Sequence, residues 1–85
     1  MNENYRPRLY SINLAAYIIV ETELYPKAKL DEDGRTYYFE FEPCAGVSYA
    51  IKKYRSLTAN VNLNEFLRAI KYLRNITHPN VEEGE

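Results

Sequence analysis

The chain has 85 residues, with 11 Lys and Arg against 12 Asp and Glu for a formal charge of −1, and it holds one Cys, one His and no Trp. That length holds one domain, residues 1–85, with a small core, because so short a chain buries only about 60–65% of the surface its unfolded form exposes. A lone cysteine closes no intramolecular disulfide and completes no four-ligand zinc site, and a near-neutral chain does not coat DNA by net charge alone.

The polar opening Met1-Asn2-Glu3-Asn4 leads into no apolar run of signal-peptide length, so a cytoplasmic chain is expected. The longest apolar run, Leu14 to Val20, is far shorter than the roughly 20 residues that span a bilayer. Asn75-Ile76-Thr77 matches the glycosylation pattern, which means nothing without a secretion route. Tyr and Phe supply 9 and 3 residues. A tyrosine buries its ring while keeping a polar tip, so this stock suits both core boundaries and binding anchors.

Ser11 to Val20 reads as a helix that Ser11 caps, with Ile12, Ala15, Ala16 and Ile19 on one face. Residues 17–20 alone suit a strand equally well, and periodicity does not decide between them. Thr36 to Glu42 alternates as a strand, Tyr37, Phe39 and Phe41 to the core and Tyr38, Glu40 and Glu42 to water. Its partner is Lys27 to Leu30, with Ala28 and Leu30 inward, and the turn between them is Asp31-Glu32-Asp33-Gly34. Pro26 suits an edge or a strand entry, having no amide hydrogen.

Pro43 to Leu57 reads as a second helix with Pro43 at its first position and Val47, Ala50, Ile51 and Tyr54 as its apolar stripe. A third helix follows. Asn62 caps it, Glu65 completes a capping box, and Val61 with Phe66 forms a staple. Leu63, Phe66, Leu67, Ile70 and Leu73 make its apolar face, and Pro79 ends it near Thr77. The fold class is α+β: helix, antiparallel hairpin, two C-terminal helices, an ordered core over residues 8–78 and a disordered acidic tail over residues 79–85.

The total charge hides an uneven distribution. Residues 1–43 carry five basic and eight acidic side chains, a balance of −3; residues 44–78 carry six basic residues and Glu65, a balance of +5; residues 79–85 carry three glutamates. On the last helix Asn64, Arg68, Lys71 and Asn75 recur at i, i+4, i+7 and i+11, one narrow polar stripe beside the apolar face. Arg and Lys pair with phosphates and guanine edges, and Asn with adenine. With Lys52, Lys53 and Arg55 of the preceding helix, these residues make a candidate nucleic-acid face, against the plainer alternative of a solvated helix surface. Arg74 lies nearer the apolar face, where its stem packs.

Enzyme chemistry finds no support in the motifs. Ser11, Ser48 and Ser56 have only His78 as a potential base. Cys44 and His78 form a conceivable dyad, but a structural Cys and a terminal His explain both. No cofactor and no metal is expected: Asp31-Glu32-Asp33 lacks the spacing and the distant bidentate Glu of a calcium loop, and no glycine-rich phosphate loop exists.

The segment Tyr10-Ser11-Ile12-Asn13-Leu14-Ala15-Ala16-Tyr17 resembles the opening of a family of short uncharacterised proteins of phages and mobile elements of Gram-positive bacteria. Tyr37 to Phe41, Ala50 to Tyr54 and Val61-Asn62 with Phe66 continue the resemblance to about Ile76. The chain departs from that pattern at Glu21-Thr22-Glu23, which stands where a Lys-Gly turn is found. The resemblance implies a mobile-element accessory role and no mechanism. Two functions therefore compete: a non-enzymatic nucleic-acid-binding or regulatory protein using the basic half, and a module that modulates a host or phage protein through the acidic hairpin with Tyr38, Glu40 and Glu42. Homodimerisation is a third expectation.

Overall fold

The computed structural model describes residues 6–77. The expected acidic tail over residues 79–85, and His78 with it, lies outside the described residues. The order is α1 (Ile12–Thr22), β1 (Lys27–Leu30), β2 (Tyr37–Glu40), α2 (Ala45–Arg55) and α3 (Leu63–Thr77). This is a small α+β domain: a helix, an antiparallel two-stranded hairpin and two C-terminal helices.

Helix α1 begins where the Ser11 hydroxyl accepts a hydrogen bond from the Leu14 amide at 3.1 Å. Residues 17–20 are helical, so the strand alternative is set aside. Leu14, Ala15, Ala16, Tyr17, Ile18 and Ile19 are all buried, as an apolar run must be when other elements cover it on most sides. Tyr17 stacks obliquely on Tyr54 of α2 with ring centroids 6.0 Å apart, and Thr22 lies against Gly46 at the start of α2. Helix α3 packs on α1 as well, so α1 is the shared centre of the helical layer. Glu23 ends it in the left-handed region (φ 62), its amide donating to the Ile19 carbonyl at 2.7 Å.

In the hairpin Lys27 faces Glu40, Ala28 faces Phe39, Lys29 faces Tyr38 and Leu30 faces Tyr37. The turn places Gly34 at φ 74, a conformation a side chain would strain. Asp33 holds the turn by accepting from the amides of Arg35 and Thr36 at 2.8 and 2.9 Å. The strand expected to reach Glu42 ends at Glu40. The next position opposite Phe41 belongs to Pro26, which has no amide to extend the ladder. The free edge of β2 is covered instead by Leu9, which exchanges two backbone hydrogen bonds with Phe39 at 3.1 and 2.8 Å.

Three expectations about packing are corrected. Helix α2 starts at Ala45 rather than Pro43, because Cys44 stays extended while Phe41 reaches the core. Leu30, expected inward, is 50% exposed at the turn end of the hairpin. Leu63 and Leu67, expected on the core face of α3, are 66% and 52% exposed. The buried side of that helix is Ala69, Ile70, Leu73 and Thr77, centred on Leu73. At about 100° per residue Leu67 lies roughly a third of a turn from that centre, outside the stripe a surface helix buries. Asn62 caps α3, its Oδ1 atom accepting from the Glu65 amide at 3.0 Å; the return bond from the Asn62 amide to the Glu65 carboxylate is not among the hydrogen bonds of the described residues. Among the described residues no helix is long and apolar enough to cross a membrane.

Candidate nucleic-acid interface

Arg6, Arg8 and Lys29 of the hairpin half are matched to carboxylates within the chain, while Lys27 and Arg35 have no ion-pair partner among the described residues. Arg8 reaches Asp31 at 2.7 Å and both carboxylate oxygens of Glu32 at 2.9 and 3.2 Å, a bidentate fork that fixes its plane. Tyr10 donates to the other oxygen of Asp31 at 2.8 Å. Lys29 meets Glu40 at 2.7 Å and Arg6 meets Glu42 at 3.0 Å. These contacts shift the groups as expected. Glu32 is pulled down to about 2 by its hydrogen bonds to Arg8. Glu40 lies below the ordinary carboxylate value because Lys29 donates to it, and Lys29 is raised by the same bond. Asp33 is lowered first by the Thr36 hydroxyl.

This network covers Tyr38. The bridge at Leu9 sets Arg8 and Tyr10 on the outer side of β2, with the Arg8 guanidinium 4.6 Å from the Tyr38 ring centre and the Tyr10 ring 5.9 Å away. Tyr38 is therefore 7% exposed, a correction to its expected position in water. Of the three hairpin residues expected to offer a protein-binding surface, Tyr38 is beneath Arg8, and Glu40 and Glu42 are each engaged by a basic side chain.

The helical half differs. Lys52, Arg55, Arg68, Lys71 and Arg74 are exposed and Lys53 is half-buried, and among the described residues none of the six has a carboxylate partner. On α3, Asn64, Arg68, Lys71 and Asn75 are all exposed and point away from the side that Leu73 buries. The stripe thus runs opposite the core rather than beside it. Lys52, Lys53 and Arg55 stand in the last turn of α2, where positive charge complements the helix dipole. The Lys53 ammonium lies 5.5 Å from the Tyr49 ring.

Arg68, Lys71 and Asn75 border a groove of about 670 Å³ between α3 and the end of α1. Its floor is Ile19, Val20 and Ala69, and Glu23 and Glu65 stand at its sides. Tyr25 and Tyr72 form one wall, their rings edge to face with centroids 4.9 Å apart. Both rings remain accessible, 59% and 38% exposed. Asn64 and the three basic residues of α2 do not line this groove. The stripe expected on α3 therefore splits, and the α2 set is a separate positive patch.

Tyr25, Tyr72 and the two groove glutamates were not legible as site residues. Tyr72 sits four residues after Arg68, a spacing that places them together on a helix, but nothing local links either to Tyr25 in the α1–β1 loop. Cys44 is exposed and free. Among the described residues no three His, Cys, Asp or Glu side chains gather where they could hold a metal ion. No family model, curated protein or solved structure matches this chain.

Proposed function

We propose that this chain is a small, non-enzymatic nucleic-acid-binding accessory protein of the mobile-element kind its Tyr10–Tyr17 opening resembles, acting in the cytoplasm through Arg68, Lys71 and Asn75 on α3, with Lys52, Lys53 and Arg55 adding positive field from α2. The observation that carries this reading is the asymmetry of pairing. The hairpin carboxylates Asp31, Glu32, Glu40 and Glu42 are matched by the chain's own cations, whereas the six cations of α2 and α3 have no carboxylate among the described residues. Unmatched cations on α3 and α2 attract a polyanion, because each phosphate they neutralise releases condensed counterions. Asn75, beside Arg68 and Lys71, supplies a neutral donor and acceptor for base or sugar edges.

The rival reading, a host-protein modulator working through the acidic hairpin, is weaker on the same grounds. Its carboxylates would have to leave Arg6, Arg8 and Lys29 before meeting a partner. The test is an electrophoretic shift of a fluorescent duplex and of a single strand at about 50 mM salt, where nonspecific phosphate contacts are strong. A shift that high salt abolishes is expected. No shift of either probe overturns the proposal.

A further inference from the structure

We infer that the α1–α3 groove takes unpaired nucleotides of a single strand in preference to a duplex. This rests on the nucleic-acid reading and names the form of nucleic acid. Three features of the groove converge on it. The first is the wall formed by Tyr25 and Tyr72, whose rings meet edge to face at 4.9 Å and are 59% and 38% exposed. An edge-to-face pair leaves ring surface open, and exposed aromatic faces next to cations are the elements on which unpaired bases stack while phosphates follow the positive edge.

The second feature is the mixed charge. Glu23 and Glu65 line the same groove as Arg68 and Lys71. Their backbones are fixed: the Glu23 amide is held by Ile19 at 2.7 Å and the Glu65 amide by Asn62 at 3.0 Å. Phosphates of either form are attracted by Arg68 and Lys71 and repelled by these carboxylates. An unpaired strand also presents the Watson–Crick amino groups of cytosine, adenine and guanine, which donate hydrogen bonds to carboxylates. The two glutamates thus suit free base edges.

The third feature is size. The groove measures about 670 Å³ over an apolar floor of Ile19, Val20 and Ala69. That volume lies within the roughly 300–1,000 Å³ of sites that enclose small ligands. A base extended from a flexible strand fits within it.

The experiment compares anisotropy titrations of a fluorescent mixed-sequence single strand of about 12 nucleotides with the same strand in a duplex, at about 50 mM salt. The single strand is expected to bind about tenfold more tightly, the order of one stacked base. Tyr25→Ala, a change at an exposed loop position, is expected to remove roughly fivefold or more of the single-strand affinity and to leave duplex affinity unchanged. Tyr72→Phe, which keeps the ring, is expected to bind as the parent does, and Tyr72→Ala is expected to weaken single-strand binding as Tyr25→Ala does. Equal or tighter duplex binding overturns the inference, as does an unchanged single-strand affinity in Tyr25→Ala. Absence of binding to both probes instead overturns the nucleic-acid reading beneath it.

Discussion

Leu57 holds a left-handed backbone (φ 64) while its side chain is 91% exposed. The cause is the end of α2. The Thr58 amide donates back to the Lys53 carbonyl at 3.2 Å and the Leu57 amide to the Tyr54 carbonyl at 3.1 Å, a paired closure that requires the residue between to turn left-handed. Glycine is the residue that closure favours; a leucine strains there by about 1–2 kcal/mol. Leu57→Gly should therefore raise stability by about 1 kcal/mol, the relief of strain being partly offset by the greater freedom of an unfolded glycine. A urea midpoint that rises with an unchanged slope is the expected result. Arg8 governs a second prediction at this scale. Because Glu32 titrates at about 2 in the folded chain and at about 4.3 unfolded, its contribution is present above the unfolded value and is lost as pH falls towards 2; Glu40 and Asp33, also lowered, act in the same direction. Lys29, which is raised, contributes below its unfolded value and loses that contribution as pH rises through its folded one. Melting temperature should decline on acidification between about pH 4.5 and 2, and Glu32→Gln should make that decline shallower. Parallel curves for the two proteins would remove the Arg8–Glu32 pair from the account.

Helix α3 shows how an apolar pattern is divided by its neighbours. Leu73 is fully buried in the core, and Leu67, six residues earlier, is 52% exposed. Leu73→Ala should destabilise by about 2–5 kcal/mol, since the lost contacts leave a cavity. Leu67→Ala should change stability by roughly 0.5 kcal/mol or less, as exposed positions do. Comparable losses from both in chemical denaturation would mean that the apolar face is centred elsewhere. The hydrophobic spacing along α3 marks a helix reliably, but it includes five large apolar residues, more than one neighbour covers. Which of them are buried depends on the side of α3 that packs against α1, a tertiary fact. By contrast, the bounds of β1 and the caps at Ser11 and Asn62 are read directly from local chemistry, because turn residues and a hydroxyl or amide cap act over only a few residues. The Leu9 bridge, the Arg8 cover over Tyr38 and the Tyr25–Tyr72 wall join positions 30 to 47 residues apart, and no local period records them.

For the whole molecule, a formal charge of −1 conceals two halves that treat charge differently. The hairpin half pairs Arg6, Arg8 and Lys29 with four of its carboxylates, and the helical half leaves its cations without a carboxylate among the described residues. The uneven charge is plain in the sequence. Its pairing is not, since Arg8 and Glu32 meet only after Leu9 joins β2. The central claim is that the unmatched cations of α3 neutralise phosphates, and the salt dependence of binding tests it most directly. A plot of log affinity against log salt for a single strand should be linear with a negative slope of about 0.7 per phosphate contacted. The double variant Arg68→Ala, Lys71→Ala should flatten that slope by about 1.4 while keeping the parent's melting temperature. A slope that is the same in the parent and the double variant would contradict the account.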